Sequence, residues 1–235
     1  MIKQFIKRIK RRENSVSRTL YNTFTSLRKF NMPSIKIFHL PLFYLITFFK
    51  NSIITLKHKF YDEPVFKAQC VKVGKGLKLP DGLPYIIGDL KIIIGDNVTI
   101  HRTTLGATHV LDNPVLEIGS NSTIGYGTTI SVGKKVSIGN HVLIGANCYI
   151  ADNDNHPINP EKRKKYYPVD KKDINEVSIG NNCWLGYNVV VLKKANIGEN
   201  SMIGAHSVVT KAIPENCIAV GYPARVVKTN IHLAE

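Results

Sequence analysis

His156 stands in the polar stretch Ala151-Asp152-Asn153-Asp154-Asn155-His156-Pro157-Ile158. A neutral imidazole, with a pKa near ~6.5, is suited to taking a proton from a substrate at neutral pH. Asp152 and Asp154 are close enough in sequence to orient its far nitrogen or to contact a substrate. They read equally well as turn-forming Asx residues. A lone histidine in a polar loop is usually only solvated, so the weight of His156 comes from where this loop falls. The other candidates, His101, His109, His141 and His206, have no comparable setting.

The loop falls at the one large break in a periodic chain. Ile179, Leu185, Val191, Ile197, Ile203 and Val209 repeat at a spacing of six, and Gly180, Gly186, Gly198 and Gly204 follow four of them. Val132, Ile138, Ile144 and Ile150 keep the same spacing, as do Ile118, Ile124 and Ile130, with an offset of two between these sets. Four residues after most of these aliphatics comes a small one, among them Ser122, Thr128, Cys148, Cys183, Ala195, Ser201 and Ser207. A helix repeats near 3.6 residues and a simple strand at 2, so a period of six predicts a triangular solenoid with three hexads per coil. The aliphatic points inward, the small residue lets the coil turn, and the glycine is expected to tolerate unusual backbone angles. Cys148 and Cys183 are therefore packing residues. The period stops from Ile150 to Ile179, where residues 151–178 are expected as an extruded loop, and a long loop on a rigid scaffold is usually functional.

These hexads resemble the hexapeptide-repeat transferases, whose fold is an all-β, left-handed parallel β-helix. The resemblance covers roughly residues 90–230. Its most specific parts are Val177-Ser178-Ile179-Gly180-Asn181-Asn182-Cys183-Trp184-Leu185-Gly186, Ile203-Gly204-Ala205-His206-Ser207-Val208-Val209-Thr210-Lys211 and Val220-Gly221-Tyr222-Pro223-Ala224-Arg225-Val226-Val227-Lys228. They look like the galactoside and maltose O-acetyltransferase branch, which includes polysaccharide O-acetyltransferases. Hexads alone say less, because nucleotidyltransferase appendages and γ-class carbonic anhydrases carry them too.

The resemblance implies that His156 is the catalytic base for moving an acetyl group from acetyl-CoA to a sugar hydroxyl, with direct attack and no metal. It implies a CoA groove between neighbouring solenoids of a homotrimer, with Tyr187, Ala205, Thr210, Lys211, Arg225 and Lys228 on the cofactor. Trp184, expected to face outward, lines the acceptor side with Asp152 and Asp154. Two departures stand out. Tyr187 replaces a position that is often small and polar, and the family's acceptor-binding Asn and Asp fall on Gly125 and Gly133. An N-acetyltransferase of a nucleotide-linked amino sugar, a γ-type carbonic anhydrase and a non-catalytic trimeric scaffold are the alternatives.

The 235 residues carry a net charge of +15, and its placement is uneven. Residues 1–60 hold 13 Lys/Arg against Glu13 alone, whereas residues 61–235 hold 19 against 16 acids. Ile2, Phe5, Ile6 and Ile9 form an apolar stripe among basic residues, and Val16, Leu20, Phe24, Leu27 and Phe30 continue it until Pro33. From Ile37 to Phe49 runs an uncharged, aromatic-rich segment of 13 residues, shorter than the ~20 of a membrane span. Residues 1–65 thus read as a basic amphipathic helical extension for an anionic membrane surface, or one packed on the trimer, and residues 66–230 as the β-helix. The large apolar face suits lipid better than nucleic acid. Four cysteines without CxxC spacing suggest reduced thiols, and no signal-peptide pattern follows the basic start, so the expected location is the cytoplasm, with the basic extension expected to hold the protein peripherally on the inner face of the membrane.

Overall fold

The computed structural model describes residues 2–231, with side chains from Ile6 onward, so Ile2 and Phe5 of the expected stripe lie outside the described side chains. The chain divides into two compact units, Met1–Ser52 and Ile53–Glu235. In the first, α1 (Ile2–Arg11) and α2 (Ser15–Lys29) are separated at Asn14. The Asn14 side chain accepts from the Ser17 N–H at 2.7 Å while the Asn14 N–H donates to the Ser17 hydroxyl at 3.1 Å, a reciprocal cap that starts α2. α3 (Lys36–Lys57) buries none of its side chains. It continues through a π-helical turn, His58–Asp62, into α4 (Glu63–Gln69), one helical run of 34 residues.

Beyond α4 the hexads wind into the expected parallel β-helix. Among the described residues its strands form three sheets of six, seven and six strands. The first face runs from Lys72–Val73 to Asn196–Ile197, the second from Thr99–Ile100 to Ala224–Thr229, and the third from Tyr85–Ile87 to Val208–Val209. Register aligns the inward aliphatics coil by coil. Ile94, Ile118, Ile138, Ile179 and Ile197 stack on the first face, and Ile100, Ile124, Ile144, Leu185 and Ile203 on the second. Leu105, Ile130, Ile150, Val191 and Val209 stack on the third. All are buried, and so are the small residues Ser122, Thr128, Cys148, Cys183, Ala195, Ser201 and Ser207 four places on. Phe66 of α4 joins the same core beside Leu77 and Leu79.

The glycines have a different cause from the one expected. Gly180, Gly186, Gly198 and Gly204 do not have positive φ; the left-handed corner residues are asparagines and histidines such as Asn182, Asn188, Asn200 and His206. A Cβ on Gly186 would sit 2.7 Å from the Ala205 nitrogen, and one on Gly198 2.4 Å from that of Glu215. The next coil's backbone occupies the space a side chain would need, which is a steric requirement and not a torsional one.

Candidate functional site

The long excursion leaves the third face after Tyr149–Ala151 and returns to the first at Val177–Ile179. Both ends are in register with the preceding coil, Ala151 with Ser131 and Val177 with Val136, so the loop proper is 152–176. The coil below it is long: Ile118 pairs with Ile138 twenty residues on, whereas Ile179 pairs with Ile197 eighteen on. The extra residues make a corner at Gly133–Lys134, and Asp152 closes it. Its Oδ1 accepts from the Gly133 N–H at 2.5 Å, and its Oδ2 from the N–H groups of Lys134 at 2.7 Å and Lys135 at 2.8 Å. Asn153 Nδ2 adds a fourth donor to Oδ1 at 2.9 Å. Fully buried, Asp152 has its lone pairs committed to the scaffold, so it neither orients His156 nor reaches a substrate.

Next along the chain, Asn153 Oδ1 accepts from the Asn155 N–H at 2.8 Å. Asn155, in the left-handed region at φ 60, donates from Nδ2 to the Tyr149 hydroxyl at 2.7 Å and accepts from the Ser131 hydroxyl at 2.8 Å. Outward side chains of two third-face strands thereby pin the residue before His156. Asp154 turns the other way and pairs with Lys193 of the following coil at 2.5 Å. After His156, the Arg163 guanidinium on α5 (Pro160–Lys164) donates to the carbonyls of Pro157 and Ile158 at 3.0 and 2.8 Å. His156 itself is exposed, its N–H donates to the Asp154 carbonyl at 2.7 Å, and its ring has no hydrogen-bond partner among the described residues. The backbone is held and the imidazole is left free.

The remaining expected residues fall elsewhere. Trp184 faces outward on the second face, 48% exposed, with Leu143 and Met202 as register neighbours. Tyr187 and Ala205 stack at the second-to-third corner, where the His206 N–H donates to the Tyr187 carbonyl at 2.9 Å. The Tyr187 hydroxyl accepts from Asn147 at 2.9 Å and its ring meets His206 edge-on. Thr210 and Lys211 lie at the third-to-first corner, two coils beyond the His156 loop. Arg225 and Lys228 sit on the final strand, antiparallel to Cys217–Gly221. Lys211, Arg225 and Lys228 are exposed and form no ion pair among the described residues, which leaves their charge available to an anion.

The two groups therefore occupy opposite ends of the third-face strands, His156 with Thr210 and Lys211 on one edge, Tyr187 with Ala205 on the other. Four or five extended residues, roughly 15 Å, separate the edges. One chain does not bring them together. On the edge with Tyr187, towards the N-terminal coils, Tyr85, Arg102, Thr103, Thr104, Tyr126 and Gly127 line a cleft of about 330 Å³. Sequence reasoning missed Ser131, Tyr149, Asn153, Asn155, Arg163 and Lys193. The only signal for the first four was their polarity on or beside an otherwise aliphatic hexad.

No cysteine is poised for chemistry. Burial pushes the Cys70 thiol up to about 11 and raises those of Cys148 and Cys183 as well. Among the described residues no group of three His, Cys, Asp or Glu side chains is placed to hold a metal ion.

A three-faced solenoid with one histidine-bearing excursion defines the class: a hexapeptide β-helix. The family profile described as bacterial transferase hexapeptide (six repeats) matches residues 176–211, and that of the hexapeptide repeat of succinyl-transferase matches residues 135–151. Both profiles describe hexapeptide repeats of transferases, which the repeats of this chain resemble. It is 39% identical over 135 residues to a galactoside O-acetyltransferase of Escherichia coli (strain K12), covering 53% of this chain and 63% of the relative. It is 47% identical over 75 residues to a galactoside O-acetyltransferase of Lactococcus lactis, covering 32% and 34%. The chain thus spans less than two thirds of the length of the curated relatives it matches. Its fold is similar to that of AntD, an N-acyltransferase from Bacillus cereus solved with dTDP and 3-hydroxybutyryl-CoA, with a TM-score of 0.57 at 22% identity over 71% of this chain and 87% of that one.

Proposed function

We propose that this protein transfers the acetyl group of acetyl-CoA to a carbohydrate hydroxyl, with His156 as general base. The observation that carries the reading is the loop around His156, whose backbone is fastened to the solenoid through Asp152, Asn153 and Asn155 and braced within the excursion by Arg163, while its imidazole stays free. Such a base needs a fixed position and an unencumbered nitrogen. The naming of the two bacterial relatives as galactoside O-acetyltransferases supports the reaction class.

In the proposed step the acceptor oxygen attacks the thioester carbonyl as His156 takes its proton. Collapse of the tetrahedral intermediate expels the CoA thiolate, which takes the proton back from the imidazolium. Lys211, Arg225 and Lys228, free of acidic partners, suit the phosphates of CoA, and Tyr187 and Ala205 suit the pantetheine arm. Because His156 and Lys211 lie on one edge of the third face and Tyr187 and Ala205 on the other, the site is completed by a second copy, as in a cyclic homotrimer. If the symmetry axis runs along the solenoid, equivalent residues of neighbouring copies stand at equal height. A partner's His156 then faces the coil between Tyr126 and Tyr187, with acetyl-CoA on one side and the acceptor at the Tyr126 cleft on the other. The basic residues of 1–60 hold the enzyme at the anionic cytoplasmic face of a membrane, where lipid-linked glycans for surface polysaccharide are assembled.

The test is CoA release from acetyl-CoA, followed with a thiol reagent in the presence of galactosides and of amino sugars. His156→Ala is expected to lose at least about 100-fold in kcat with little change in the acetyl-CoA KM. Unchanged turnover would remove His156 from the mechanism, and faster turnover of the amine would replace the O-acetyl reading. Mixing His156→Ala with Tyr187→Ala subunits, whose substitutions lie on opposite edges, should restore about one quarter of the wild-type sites, since each site draws on two copies. No restoration would place the whole site within one chain.

A further inference from the structure

The run of apolar residues in α3 is longer than the uncharged segment suggested. From Ile37 to Leu56 the helix carries twenty residues whose one full charge is Lys50, six places from the end. At 1.5 Å per residue this spans about 30 Å, the thickness of a bilayer's hydrocarbon core. The sequence limit of 13 residues was set by Lys50 alone, and a lysine near a helix end can extend its ammonium to the headgroups.

The apolar surface also goes all the way round. Leu42, Phe43, Tyr44, Leu45, Ile46, Phe48 and Phe49 are consecutive but for Thr47, and at 100° per residue they cover every direction. All seven are at least half exposed. A protein groove or a coiled-coil partner covers one stripe and would leave the opposite side in water, whereas lipid chains cover all sides at once. The polar atoms are accommodated within the helix: the Ser52 hydroxyl donates to the Phe48 carbonyl at 2.9 Å, and His39 Nδ1 lies 3.0 Å from the Ile35 backbone. Charge is complementary as well. Residues 1–36 hold ten Lys/Arg against Glu13, and Lys57 and Lys59 follow the far end. By contrast α1 and α2 are two-sided, with polar and basic faces that suit the headgroup layer.

We propose that α3 is inserted in the hydrocarbon of an anionic lipid bilayer, while α1 and α2 lie among its headgroups. This deepens the membrane reading above and does not depend on acetyl transfer. Insertion predicts hydrophobic retention that salt does not reverse, whereas a helix resting on the surface through charge is released as ionic strength rises.

The experiment is flotation of the full chain with vesicles of phosphatidylcholine and phosphatidylglycerol at 3:1, followed by washes in 1 M NaCl and in alkaline carbonate. The expected result is co-flotation that survives both washes. Ile46→Lys, which places a charge at the centre of α3, is expected to lower partition at least about 100-fold, and Ile46→Leu to leave it unchanged. An unchanged far-UV spectrum of each variant shows that the β-helix is intact. Release of the wild type by salt alone would overturn insertion and leave the surface reading standing. Absence of flotation at any salt would overturn both, and neither result would bear on the acetyl-transfer assay. Equal retention of Ile46→Lys would also sink the proposal.

Discussion

Replacing Asp152 by Asn removes a single charge and no volume, and it tests whether the loop is fastened as described. Oδ1 serves the Gly133 N–H and Asn153 Nδ2; Oδ2 serves the N–H groups of Lys134 and Lys135. An amide keeps one oxygen, so either orientation turns an NH₂ group against two donors. Each lost hydrogen bond to a charged acceptor is worth about 1.5–3 kcal/mol, so the expected destabilisation is about 3–6 kcal/mol. For a chain of this size that lowers Tm by roughly 6–24 °C. Thermal unfolding followed by circular dichroism reads the loss, and acetyl-CoA titration shows whether the opposite edge still binds. Below the transition kcat should fall as the loop loosens, while the acetyl-CoA KM changes little. A Tm within about 2 °C of wild type would refute the reasoning, because it would mean the four donors find other partners at no cost.

Burial works to push the Asp62 carboxyl up, but hydrogen bonds and charge from Lys57 and His58 outweigh it and hold the group below its ordinary value. A depressed folded value gives stability that is present above the unfolded pKa of about 3.9 and is lost as pH falls through the folded one. Urea unfolding across pH 2–7 should therefore show a shallower acid limb for Asp62→Asn, and matching slopes would contradict the pairing. With Cys148, Cys183 and Cys217 buried and Cys70 pushed up to about 11, native protein at pH 8 should resist iodoacetamide and label at all four thiols only once unfolded, as read by intact mass. Gly186→Ala forces a Cβ to within 2.7 Å of the Ala205 nitrogen and should destabilise by roughly 1–3 kcal/mol, measurable as a lower urea midpoint at unchanged slope. Lys193→Met should leave Asp154 unpaired and lower kcat more than the acetyl-CoA KM; equal activity would show that this ion pair does not fix the loop.

The β-helix was legible because each hexad repeats one local instruction, and the register of Ile138, Ile179 and Ile197 repeats it in space. Trp184 and the small positions at Cys148 and Cys183 followed from the same period. What the period does not encode is how a corner is closed when it runs two residues long. Asp152 therefore read as a possible ligand when it is a brace, and its donors Gly133, Lys134 and Lys135 are seventeen or more residues away in sequence. The ion pair of Asp154 was hidden for the same reason, since its partner Lys193 belongs to the next coil. The division of the expected site between two edges of one face was equally hidden. A list of positions carries no information about which corner each one occupies.

Ile138 meets Ile179 forty-one residues on, in the same register as Ile179 meets Ile197 eighteen on. Closing the longer path costs about 0.7 kcal/mol more by loop entropy, less than one buried methylene contributes. The solenoid can thus accept twenty or more residues at a corner without shifting a single rung. The third-to-first corner works as a socket: the scaffold supplies rigidity once, and reactivity can be exchanged, lengthened or removed there as a separate cassette.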